Sequence, residues 1–150
     1  MNDITLTPID RTPVDPTPGE IEYLEDRIYA FNSTATGIVD GELLAFFVRD
    51  GDRIVAGIAG NTWGGTCEVR QFWVDEPLRG RGLGTTLLEA VEREARRRGC
   101  RQIVLMTFSF QAPAFYARHG FDVIAAIEDH PHGHRNLLMR KRLGRTAGPE

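Results

Sequence analysis

The run FWVDEPLRGRGLGTTLLEA at 72–90 holds the densest binding chemistry in this chain of 150 residues. An apolar strand ends at Val74, a short loop holds Pro77, and Arg79-Gly80-Arg81-Gly82-Leu83-Gly84 opens into a helical pattern. Glycines let the backbone approach a ligand closely, and the first turn of a helix offers unpaired N–H groups at its positive dipole end. Two arginines add charge-assisted donors. The combination suits a phosphate or pyrophosphate. No Lys-Ser/Thr pair starts the helix, so this is not a P-loop, and Gly80-x-Gly82-x-Gly84 is not the GxGxxG spacing of dinucleotide-binding folds.

Two further groups could do chemistry. Asp129-His130-Pro131-His132-Gly133-His134 holds three of the four histidines. Alternating histidines can ligate a metal, but a short loop with no matched cluster elsewhere reads as a polar loop, and no metal is expected. Contact with a substrate, or a pH-sensitive role, stays open for it. Cys67 and Cys100 have neither a zinc spacing nor a neighbouring histidine to activate them. Both read as small buried hydrophobes.

The elements that must position these residues follow from periodicity. ITLTPID at 4–10 alternates as a first strand, and four prolines within 8–18 make an extended approach. Ile21, Leu24, Ile28 and Phe31 predict an amphipathic helix over 19–32, followed by a polar connector over 33–41. LLAFFVR at 43–49 and RIVAGIAGNTW at 53–63 flank Asp50-Gly51-Asp52, a hairpin signal, and Gly64-Gly65 turns into TCEVRQFWV at 66–74. A three-strand antiparallel meander results. A helix over 83–98 buries Leu83, Leu87, Leu88, Val91 and Ala95, and Gly99 stops it. QIVLMTF at 102–108 is a central strand covered on both faces. A short helix at 112–118 and strands at 121–127 and 136–143 complete the pattern.

Length and composition bound the rest. One domain over 1–143 with a loose tail at 144–150 accounts for a 16.8 kDa chain that is 41% hydrophobic and 26% charged. No apolar run approaches the length of a membrane-spanning helix; the longest is LLAFFV at 43–48. MNDITLTPID lacks a secretory pattern, so a cytoplasmic location is expected. The net charge of −3 divides unevenly. Residues 1–78 carry 5 arginines against 14 acids, and residues 79–150 carry 13 basic residues against 7 acids. The basic half suits an anionic ligand and the acidic half a cationic one, while the balance excludes a typical nucleic-acid binder.

Arg79-x-x-Gly82-x-Gly84 after Phe72-Trp73-Val74 resembles the acyl-CoA-binding motif of the GNAT N-acetyltransferase superfamily. Ala114-Phe115-Tyr116-Ala117-Arg118-His119-Gly120-Phe121 is similar to a second GNAT signature. The two stand in the expected order, and the element order agrees over residues 4–143. The resemblance implies a mixed α/β fold: a mostly antiparallel seven-stranded sheet with about four helices on both faces. It also implies acetyl-CoA as co-substrate, and direct transfer of the acetyl group to a primary amine in a ternary complex. Glu20, Glu22, Glu25 and Asp26 point to a cationic small molecule as acceptor. A protein lysine or N-terminal acetyltransferase and a non-catalytic acyl-CoA sensor are the alternatives. Neither nucleic acid nor membrane is an expected partner, and a homodimer is compatible with exposed meander edges.

By the same resemblance, backbone groups of Phe72, Trp73 and Val74 would pair with the pantetheine arm, and a Val74 N–H would polarise the thioester carbonyl. The N–H groups of Arg79, Gly80, Arg81, Gly82, Leu83, Gly84 and Thr85 would hold the pyrophosphate. Tyr116 matches the family's general acid, with an ordinary pKa near 10. Ser109 stands where many relatives carry a cofactor-contacting Asn. Glu68 is the candidate base, because a period of two places Glu68, Arg70, Phe72 and Val74 on one face. A solvated Glu68–Arg70 pair, or a water relay with no dedicated base, remains open.

Overall fold

The computed structural model describes residues 15–144. The expected strand at 4–10 and the tail at 145–150 lie outside the described residues. The described residues fall into two compact units, dividing between Gly37 and Ile38.

In the first unit, α1 runs Pro18–Thr36. Its start is fixed by a capping box. The Thr17 hydroxyl accepts from Glu20 N–H at 3.2 Å, while the Glu20 carboxylate accepts from Thr17 N–H at 2.8 Å. The helix runs four residues past the expected end, through Ser33-Thr34-Ala35-Thr36. Polar composition does not by itself stop a helix. Gly37 does, in the left-handed conformation, its N–H donating to Ser33 O at 2.8 Å.

The second unit is a six-stranded sheet with two helices. Its strands are β1 (Glu42–Asp50), β2 (Arg53–Trp63), β3 (Thr66–Val74), β4 (Gln102–Phe108), β5 (Asp122–Glu128) and β6 (Arg135–Arg142). The sheet order is β1-β2-β3-β4-β6-β5. Every neighbouring pair is antiparallel except β3–β4, which is parallel and needs a crossover. That crossover is α2 (Leu83–Arg97), reached through a 3₁₀ turn at Glu76–Leu78 that was expected as loop; α3 spans Pro113–Arg118. The described residues thus hold six strands and three α-helices, against the seven and about four expected.

The apolar spacing of α2 places Leu87, Leu88, Val91 and Ala95 in the core, against Ile58, Cys67, Ile103 and Met139 among others. Each large side chain buried this way contributes roughly 1.5–3 kcal/mol relative to exposure. On its other side Glu92 accepts from Lys141 Nζ at 2.6 Å, tying α2 to β6. Burial pushes the Glu92 carboxyl up, but hydrogen bonds from Lys141 and Arg96 outweigh it and hold the group ionised.

One irregularity shapes everything downstream. Ala59 pairs with Gln71 but Gly60 pairs with Val69, so Arg70 is an extra residue, a β-bulge in β3. Gly60 is required there, because a Cβ on it would lie 1.8 Å from the Glu68 carbonyl oxygen.

Candidate active site

β3 and β4 pair only from Thr66↔Gln102 to Val69↔Leu105. Beyond the bulge they diverge and leave a cleft of about 900 Å³. Leu105 and Thr107 line it from the face that packs on α2, and Met106 and Phe108 from the opposite face, so the gap opens to both sides of the sheet. Asp75 N–H donates to Val55 O at 2.9 Å, toward β2. By the alternation of strand N–H groups, that of Val74 points into the gap.

The bulge corrects one sequence expectation. Cys67 and Val69 before it, and Phe72 and Val74 after it, all face the core. Glu68 therefore lies opposite Phe72 and Val74, on the exposed face with Gln71 and Trp73. Its carboxylate is half-exposed, 3.5 Å from Arg70 Nε. It does not line the cleft, yet it sits one residue before the strands separate, on the same side as Met106 and Phe108.

At the other end, Gly80 and Gly82 both take positive φ, 74° and 84°, which side-chain-bearing residues rarely adopt. Gly82 is the N-cap of α2 and supplies no capping side chain, and the first turn holds no acid. The Thr86 N–H makes the first intrahelical bond, to Gly82 O at 3.0 Å. The N–H groups before it form an electropositive nest at the cleft wall. Arg79 is held across the mouth by Nε donating to Val74 O at 3.0 Å.

Tyr116 is 7% exposed, packed among Phe72, Phe115 and Phe121 at ring-centroid distances of 6.2, 5.4 and 5.7 Å. Burial pushes its phenol up to about 12. Among the described residues its hydroxyl has no hydrogen-bond partner, and the side chain lines the cleft. Three residues further on, His119 Nδ1 lies 2.8 Å from Phe115 O, and a carbonyl only accepts, so Nδ1 carries a proton. In the neutral ring, Nε2 then accepts from the Thr85 hydroxyl at 3.2 Å. That pair joins α3 to the first turn of α2.

Of the residues singled out from sequence, Phe72, Trp73, Val74, Arg79, Gly80, Gly82, Leu83, Gly84, Thr85 and Tyr116 converge on the cleft; Arg81 and Ser109 do not line it. The Ser109 hydroxyl accepts from Arg135 N–H at 3.1 Å, and its N–H donates to Arg135 O at 2.8 Å, so it fastens the end of β4 to β6. Sequence reasoning missed Gln111 and Arg118, both cleft-lining. Gln111 Oε1 accepts from Phe108 N–H and the Thr107 hydroxyl at 2.9 and 3.3 Å, leaving its NH₂ as a donor. Arg118, two residues after Tyr116, was marked only by its place in the motif. Asn136 was missed as well: 8% exposed beside Phe108 in register, it keeps Oδ1 buried without a donor.

The histidine loop is organised by packing. Asp129 accepts from Gly133 N–H at 2.7 Å and lies 3.1 Å from His132 Nδ1. His130 meets Phe108 edge-on at 5.4 Å, and His134 meets Phe110 at 4.9 Å. Cys67 and Cys100 are buried. Burial first, and the neighbouring Cys100 second, push the Cys67 thiol up to about 12, so it stays protonated at neutral pH.

The sequence matches the acetyltransferase (GNAT) family profile over residues 9–121. The chain belongs to the GNAT acetyltransferase family. It is 31% identical over 120 residues to an acetyltransferase of Agrobacterium fabrum, covering 79% of this chain and 88% of that one. It is 37% identical over 91 residues to the blasticidin-S acetyltransferase of Streptomyces morookaense, covering 60% and 67%. A solved acetyltransferase structure from Bacillus cereus is similar at 33% identity and TM-score 0.71, over 89% of this chain and 98% of that one. This GNAT protein is an acetyl-CoA-dependent N-acetyltransferase, and among its described residues no helix is long and apolar enough to cross a membrane.

Proposed function

We propose that this enzyme transfers the acetyl group of acetyl-CoA directly to a primary amine of a small molecule within a ternary complex. One observation carries the reading: the through-sheet gap joins an uncapped, arginine-flanked helix start to an exposed opposite face. An anionic cofactor and an amine could therefore enter from different sides. Pantetheine would lie along Phe72, Trp73 and Val74 as an added strand. The pyrophosphate would take the N–H groups from Gly80 to Thr85 and the Arg79 guanidinium; the Arg79 N–H, expected among them, donates instead to Glu76 O at 3.2 Å. Gln111 would serve the cofactor arm in place of Ser109, whose hydroxyl is committed to Arg135.

The amine nitrogen attacks the thioester carbon, the developing oxyanion is stabilised by Val74 N–H, and the C–S bond breaks. The amine's proton leaves through Glu68 or a water beside it. Tyr116 faces the departing sulfur. With its phenol near 12 and a thiol near 8.5, full proton transfer is uphill by about 5 kcal/mol. Its role is thus hydrogen-bond donation to the thiolate, which finally takes a proton from solvent. The name of the Streptomyces relative, an acetyltransferase for blasticidin S, supports a small acceptor. The reading is tested by acetyl-CoA binding and by acetyl-CoA-dependent thiol release over an amine panel. Absence of cofactor binding would sink it, and binding with acetylation of a lysine peptide alone would replace the small molecule by a protein.

A further inference from the structure

The acceptor end of the cleft carries a second, distinct chemistry. The charged residues lining the cleft as a whole are Arg70, Arg79 and Arg118, with Arg79 at the α2 end, and among the described residues no carboxylate lines it. The acids nearby are engaged: Glu68 with Arg70, Glu128 with Arg135 at 2.9 Å, and Asp129 with Gly133 and His132. Among the described residues, nothing in this rim recruits a polycation. The rim instead holds four rings. Phe108 and Phe110 stack at 5.4 Å with an interplanar angle of 6°, buttressed by His130 and His134. Both phenylalanines line the cleft, and Phe110 remains 56% exposed. Such a preformed stack costs little ordering on binding, since its rings already hold one another in place.

Resting on the acetyl-transfer reading above, we infer that the acceptor is an amine carried on a planar aromatic or heteroaromatic ring, which packs on the Phe108–Phe110 shelf and presents its nitrogen toward the Glu68 side of the gap. Selection is by ring stacking, not by charge count. The acidic residues of α1 that suggested a cationic acceptor are not needed for it.

The test compares tryptamine with spermidine at saturating acetyl-CoA, in low and high salt, with acetyl-CoA binding measured separately. Tryptamine should show a KM at least about tenfold lower, little changed by salt. Phe110→Ala should raise that KM about tenfold, with kcat and acetyl-CoA affinity nearly unchanged, and Phe110→Trp should restore it. A spermidine preference, or a KM indifferent to Phe110→Ala, overturns the inference and leaves acetyl transfer standing. Failure of acetyl-CoA to bind overturns both.

Discussion

The two ends of the cleft are made of different material. On the proposed reading, at the α2 end the ligand meets backbone: N–H groups from a loop with two left-handed glycines, and one arginine tethered to Val74 O. At the opposite end it meets side chains drawn from β4, the segment after it and the β5–β6 loop, packed ring against ring. A backbone site is sensitive to conformation and indifferent to most side-chain changes. A side-chain site is the reverse. One cofactor can therefore be held by a fixed loop while acceptor choice varies with a few rings.

Breaking the frame shared by both ends should have the largest effect. Gly60→Ala places a methyl group against the Glu68 carbonyl, 1.8 Å away before relaxation. A loss of about 3 kcal/mol or more in urea unfolding is expected, above the usual cost of overpacking because the obstacle is backbone. Retention of wild-type stability would mean the bulge is not fixed as described.

Next comes Tyr116→Phe, which removes the proposed donor to the leaving sulfur. A fall of about a hundredfold in kcat is expected, by analogy with loss of one donor to a developing anion, with acetyl-CoA affinity held. The pH profile sharpens this. Burial raises the phenol from near 10 to about 12, so it stays neutral in the fold while an unfolded tyrosine ionises. Rate should not fall through Tyr116 ionisation between pH 7 and 10. Stability present below pH 10 should be lost progressively between pH 10 and 12, by about 2–3 kcal/mol for this group. Tyr116→Phe should lose less.

Smaller effects separate the two kinds of site. Gly82→Val strains a left-handed N-cap and crowds the nest, so acetyl-CoA affinity should drop about tenfold while the acceptor KM at saturating cofactor holds. Arg79→Ala should cost about as much. Arg81→Ala should cost under about twofold, because an exposed charge outside the cleft is largely screened; equal losses at the two arginines would show that the loop acts as a charge cluster.

The same division governs what could be read from the sequence. The α2 end of the cleft was legible because glycines and arginines at a helix start announce a backbone site locally, and the Phe-Tyr…Gly-Phe signature located Tyr116 on the cleft wall. The meander, α2 and the central strand follow from periodicity. Arg70 could not be seen as an extra residue, since TCEVRQFWV alternates plausibly in one register throughout. The one cue was a glycine inside the partner strand, Gly60, which commonly marks a bulge. The shelf was equally hidden. It joins residues near 108 and 130 that meet only once β4 and β6 have paired, and nothing in the spacing of the histidines specifies a phenylalanine as neighbour.

The bulge also makes chain length matter more than chemistry along β3. Upstream of Arg70 the strand shows Glu68 to one side of the sheet, and downstream it shows Trp73 to that same side, although five positions separate them. Strict alternation would put them on opposite sides. Losing a single codon at position 70 would bring Val69 and Gln71 together opposite Gly60 and Ala59, keep Phe72 and Val74 facing the core, and remove the irregularity at which β3 leaves β4.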